Sequence, residues 1–152
     1  MISIEDIDHG FKSIVKEIKS FKNDYVKIGV LSDAGMSEDG KTGLVDVATF
    51  NEFGTSRIPP RPFMGQTFDK NKSEIDRKLQ EGFEGIVSGK EQTLPLLKKI
   101  GVWYKGEIQK IFTDGNFVPN APSTLRQKSE KGRPLIDTGR LRQSIQFAVE
   151  NT

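Results

Sequence analysis

Only two stretches of this 152-residue chain alternate apolar and polar residues as a strand does, and they lie at opposite ends of it. In 25–31 the apolar set is Val26, Ile28 and Val30; in 144–150 it is Ile145, Phe147 and Val149. A strand left alone strands its backbone N–H and C=O groups, so each needs the other as its partner. Everything between must therefore fold back far enough to bring them together, which makes 1–152 one domain. A two-stranded ribbon is marginal in water without helix cover or further strands. Its open edges are a first hint that neighbouring copies complete the fold.

The intervening sequence supplies the cover. Ser3 suits a helix cap with Asp6 three residues on, and Ile4, Ile7, Phe11, Ile14, Ile18 and Phe21 then recur at spacings of three and four until Asn23-Asp24. His9 and Gly10 fall within this first helix. Residues 32–43 hold three glycines and form a mobile loop or the tip of a protruding hairpin. A short helix over 44–53 places Leu44, Val47, Ala48 and Asn51 along one side, with Gly54 as its C-terminal cap. Two long helices follow. The first carries Met64, Phe68, Ile75, Leu79, Phe83 and Ile86 and closes near 85–89; the second starts at Thr93, carries Leu97, Ile100, Tyr104, Ile108, Ile111 and Phe112, and ends at Asp114-Gly115. Residues 116–139, broken by Pro119, Pro122 and Pro134, are expected to be an extended arm. The class is thus α+β: three to four helices, two of them long, packed on a small antiparallel sheet formed by 25–31 and 144–150, with long loops.

Several kinds of chemistry are excluded or weakened. With no cysteine, disulfide scaffolds, thiolate nucleophiles and cysteine-ligated zinc are ruled out. His9, the single histidine, makes neither a histidine-rich metal site nor the base of a serine hydrolase, and no Gly-x-Ser-x-Gly elbow is present. The glycines at 82, 85, 89 and 101 match no phosphate-binding fingerprint. Carboxylate pairs occur at Glu81/Glu84 and Glu38/Asp39, where ordinary solvated residues are the plainer explanation. No cofactor or metal is expected. The first eight residues lack a basic and apolar leader pattern, and no apolar run reaches membrane-spanning length.

Charge is uneven. Residues 1–56 carry six Lys/Arg against ten Asp/Glu, net −4, and 57–152 carry seventeen against eleven, net +6. Unlike fields on two halves favour head-to-tail contact between copies. The stretch 126–142 gathers Arg126, Lys128, Lys131, Arg133, Arg140 and Arg142 against Glu130 and Asp137, so a basic nucleic-acid-binding module is the alternative of another class. That stretch lacks aromatics for base stacking, and no helix-turn-helix is readable beside it.

Two phrases stand out. In 51–64 (NEFGTSRIPPRPFM) a stiff proline clamp joins Arg57, Pro59, Arg61 and Pro62 to an apolar anchor, Phe63 with Met64. Arg57 and Arg61 are left available for carboxylates on this chain or another. In 134–145 (PLIDTGRLRQSI) Asp137 and Thr138 suit a capping turn, Gly139 permits an unusual backbone, and Leu141 and Ile145 return to the core. Arg133 and Arg140 flank that turn. Neither phrase holds a nucleophile, a base or a metal set.

These two phrases, in this order and separated by two helices, resemble the virion morphogenesis proteins of tailed bacteriophages, including the Mu-type tail-completion or neck components and the related lambdoid-type tail components. The resemblance covers roughly residues 25–150, and it departs from the family pattern at Pro60, where a small residue is usual. It implies a non-enzymatic virion structural protein that assembles with itself as a ring, a hexamer, around the DNA channel where head meets tail. Its partners would be adjacent head-connector and tail proteins, with non-specific contact with DNA in the channel, no membrane and no small-molecule substrate. A tail terminator or minor tail component is the alternative within that family. Such a protein is located in the virion after assembly in the bacterial host cytoplasm. The expected mechanism is ordered docking, in which loop 32–43 and arm 116–139 become ordered against neighbours, with Arg57, Arg61, Arg133 and Arg140 making charge-paired contacts.

Overall fold

A computed structural model of the chain describes residues 8–37, 40–122, 126, 134–136 and 139–151. The order is α1 (Phe11–Asn23), β1 (Asp24–Val30), α2 (Leu44–Phe53), α3 (Phe63–Val87), α4 (Thr93–Asp114), α5 (Arg140–Gln143) and β2 (Ile145–Asn151). The fold is α+β, and the two strands from opposite ends pair antiparallel as their alternation requires. The register sets Val26 opposite Val149, Ile28 opposite Phe147 and Val30 opposite Ile145, so both apolar sets share one face.

That face lies on α4, which also packs along α3 and is the axis of the molecule. One core cluster gathers Ala48 of α2, Phe63 of α3, Tyr104, Ile108, Ile111 and Phe112 of α4, Phe117, Leu135, Leu141 and Ile145. Phe63 and Phe112 meet with ring centroids 4.9 Å apart. A second cluster of Ile86, Leu96 and Ile100 is covered by Ile18, Phe21, Val26 and Leu79, which is how α1 is held. The helix-spaced stripe from Leu97 to Phe112 is buried at all six positions.

The structure departs from the sequence expectations in three places. The first helix begins at Phe11, because Gly10 takes a left-handed φ of 96° and breaks the helical path. His9 and Gly10 accordingly precede it, while Ser3, Ile4, Asp6 and Ile7 lie outside the described residues. Phe68 and Phe83, placed on the apolar stripe of α3, are 49% and 40% exposed, since α4 covers only part of that helix. Phe83 instead rests beside Phe21, with centroids 5.4 Å apart.

The described part of loop 32–43 folds back on itself as a hairpin would. Ser37 N–H donates to Thr42 O at 2.7 Å, Leu44 N–H to Gly35 O at 2.9 Å, and Met36 bridges Gly43. Nor is 116–139 a free arm at its two ends. Phe117 and Leu135 are buried in the core and Asn120 is 8% exposed, while Pro122 and Arg126 are helical.

Among the close contacts in the fold is that between α4 and β2. A Cβ on Gly101 would fall 2.4 Å from the ring of Phe147, so no larger residue fits without moving the strand. Gly106, one and a half turns further along the same helix, has open space instead. Replacing it with alanine should stabilise the protein by up to about 1 kcal/mol through helix propensity alone. Gly101→Ala should cost about 1–2 kcal/mol net, because overpacking outweighs the same propensity gain. Urea unfolding of the two variants checks the opposite signs.

Across the outer face of the sheet, Glu150 accepts from the Tyr25 hydroxyl at 2.9 Å and pairs with Lys27 at 2.6 Å. The Lys27 contact, and then Tyr25, hold its carboxyl below the ordinary carboxylate range. A depressed carboxyl helps folding above its unfolded pKa and loses that contribution as pH falls through the folded one. In carbon-detected NMR titration, Lys27→Met should raise the Glu150 midpoint, and added salt should raise it in the native protein.

Candidate assembly surface

The residues of 51–64 form a closed hydrogen-bonded knot around the end of α2 and the start of α3. Gly54 caps α2, its N–H donating to Phe50 O at 3.0 Å with φ at 77°. A side chain there would meet Ile58 O and Pro60 at 3.0 Å, so both the backbone and the space demand glycine. Thr55 Oγ1 accepts from the N–H groups of Arg57 and Ile58, and Thr55 N–H donates to Ile58 O. Pro62, at φ −72° and ψ 74°, makes a tight turn in which Phe63 N–H donates to Arg61 O at 2.7 Å.

Glu52 then completes the start of α3. Its two carboxylate oxygens accept from Met64 N–H and Gly65 N–H, each at 2.9 Å. With proline at the cap and Phe63 bonded to Arg61, every amide at that helix end has an acceptor. The carboxylate also sits where the helix dipole is positive.

Arg61 is the centre of the knot, and it is 6% exposed. Its Nε donates to Val118 O at 2.9 Å, and its terminal nitrogens reach Pro119 O, the Asn120 side-chain oxygen and the Asn51 side-chain oxygen at 3.2–3.4 Å. All four acceptors are neutral. Burial pushes the guanidinium pKa down from its ordinary value. This overturns the expectation that Arg61 stays available for a neighbour's carboxylate, since the side chain is buried and four of its five N–H donors are used within the chain. A change of both Arg57 and Arg61 to glutamate would therefore unfold the knot rather than test an interface.

The remaining expected residues divide clearly. Arg57 and Pro59 are exposed, with no ion pair at Arg57 among the described residues; Pro62 is half-buried and Phe63 is 1% exposed. In the second phrase Gly139 sits at φ 79° and opens α5, Arg140 is exposed, and Leu141 and Ile145 enter the same core as Phe63. Leu135, 8% exposed, holds a positive φ of 65° that leucine rarely adopts. Arg133, Asp137 and Thr138 lie outside the described residues, as do Glu38 and Asp39. Glu81 pairs with Arg77 at 2.5 Å and Glu84 accepts from Gln80, both on the outside of α3. The same Arg77 holds Glu74 at about 2. No group of three or more His, Asp or Glu gathers among the described residues.

Around this knot the surface is unusually apolar. Phe50 and Phe53 at the end of α2 are 40% and 77% exposed, Phe68 one turn into α3 is 49% exposed, and Val118 beside Arg61 is 51% exposed. Apolar residues are spread around helix α2 between Asp46, Thr49, Asn51 and Glu52, and Leu44 and Ala48 alone are buried. Single exposed hydrophobics are ordinary, but several aromatics near one turn of the chain offer apolar area of the kind that docking surfaces use. Sequence periodicity missed them because α2 shows no polar side to contrast with its buried one.

Arg61→Met should lower stability by about 2–3 kcal/mol, since it removes the donors that hold two carbonyls and two amide oxygens, the buried one of Asn120 among them. Arg57→Ala should change it by less than about 0.5 kcal/mol, and Glu52→Gln should cost about 1 kcal/mol through the lost charge at the helix start. Chemical denaturation of the three variants gives the order. No protein-family model, curated protein or solved structure matches the chain.

Proposed function

We propose that this chain is a non-enzymatic structural subunit of a tailed-phage or prophage particle, a neck or tail-completion protein that closes into a ring around the DNA channel and joins head to tail. The observation that carries this reading is the aromatic surface around the Arg61 knot, where Phe53 is 77% exposed on a rigidly built support. A rigid support matters because a subunit that must dock in one orientation gains from surfaces ordered before contact. The two-stranded sheet adds to it, as each strand has one edge unpaired among the described residues. The resemblance of both phrases to the phage family supplies the identity of the neighbours, head-connector and tail proteins. Ring closure needs two different surfaces on each subunit.

The test is solution mass by light scattering across concentration, alone and with the adjacent head and tail proteins of the same phage. The protein should form a closed oligomer in at least one of these conditions. Phe53→Asp should abolish it while circular dichroism and melting temperature stay unchanged, because the side chain supports nothing in the monomer. A native protein that stays monomeric in every condition, or a Phe53→Asp variant that assembles normally, overturns the reading.

A further inference from the structure

Helix α1 carries Lys12, Lys16, Lys19 and Lys22, at steps of four, three and three residues. Such steps keep side chains within about a third of the helix circumference, so the four amines form one row about 15 Å long. All four are exposed, and none makes an ion pair among the described residues. The one acid on the helix, Glu17, does not offset them. Its carboxylate turns inward and accepts Thr93 N–H at 2.8 Å, while its backbone carbonyl takes the Thr93 hydroxyl at 2.9 Å. That carboxylate is used at the start of α4. Two further acids lie off the ends of the row: Asp8 accepts the N–H groups of Gly10 and Lys12, and Asp24 accepts the Ser20 hydroxyl.

We propose that the outward face of α1 is a contact surface for the phosphate backbone of duplex nucleic acid, bound without regard to base sequence. Lysines are compact point charges on flexible stems, suited to a regular line of phosphates and not to the planar recognition that arginine gives. A duplex presents one negative charge per about 3.4 Å of each strand, so a 15 Å row faces several at once. A membrane is the poorer fit. The apolar side of α1 is already occupied, with Phe21 against Phe83 and Ile18 in the cluster of Ile86, Leu96 and Ile100, which leaves Phe11 alone to enter lipid. This surface is separate from the aromatic one on α2 and α3 and does not require ring closure.

The probe is a fluorescently labelled mixed-sequence DNA duplex of about 20 base pairs, read by anisotropy with the full chain between about 50 and 200 mM salt, the range where counterion release dominates. The native protein should bind with a steep salt dependence. The triple variant Lys12→Gln/Lys16→Gln/Lys19→Gln should weaken binding at low salt at least tenfold and flatten the slope of log K against log salt by about two to three. A second triple, Lys70→Gln/Lys72→Gln/Lys98→Gln, removes the same charge from α3 and α4 and should leave both values near native. Absence of binding by the native protein, equal loss in both triples, or capture by anionic phospholipid vesicles without capture of the duplex would each overturn the proposal. Light scattering on the same variants separates the two readings: association lost with DNA contact kept counts against ring assembly alone.

Discussion

A guanidinium cannot be buried among carbon atoms without acceptors for its donors, and in this protein the acceptors come from chain segments far apart in sequence. Arg61 takes the carbonyls of Val118 and Pro119 and the side chains of Asn51 and Asn120, so one cation fixes the end of α2, the entry to α3 and the exit from α4 in a single arrangement. The three prolines beside it contribute by removing alternatives, since a backbone with fixed φ has little entropy left to lose on ordering. Neutral acceptors suit this position better than a carboxylate would. Carbonyl dipoles satisfy the donors without a second charge to desolvate, and Phe63 is thereby delivered into the core at the same place as Leu135 and Leu141 of the second phrase.

Two carboxylates do comparable work at longer range. Glu52 closes the start of α3 and Glu17 the start of α4, each from another helix. Both are counted in the acidic half of the sequence, yet neither contributes an open negative charge to the surface. The exterior of α1 is consequently far more cationic than the net −4 of residues 1–56 suggests. Formal charge summed along a sequence overlooks which charges the fold has already spent on its own backbone.

What was legible in the sequence follows from this. The bounds of α2 and α4 and the pairing of the two strands could be read directly, because each depends on local spacing of apolar residues and on turn residues beside them. Helix α4 was especially clear, since its apolar stripe from Leu97 to Phe112 is covered by several neighbours. The α3 stripe was less faithful: spacing shows which side of a helix is apolar but not how much of it a partner reaches, hence the exposure of Phe68 and Phe83. The role of Arg61 was hidden for a different reason. Arginine is usually a surface residue, and the carbonyls that hold it lie some sixty residues away, where no periodicity points to them. The two phrases were visible as unusual, but their shared core became apparent only in three dimensions.

The pairing of β1 with β2 also has a consequence in time. Val26 and Val149 face each other across the sheet, so the first strand has no partner until the 123 residues up to Val149 have been made. At ordinary translation rates of about 5–20 residues per second, that is a wait of roughly 6–25 seconds. During it the nascent β1 exposes a full row of ladder groups beside an apolar face. The sheet closes only once β2 has been made, in a step of high contact order, and α1 next to it can shield only one side in the meantime. Crowded polysomes making many copies of this chain would therefore bring unpaired β1 segments close to one another before any of them can close.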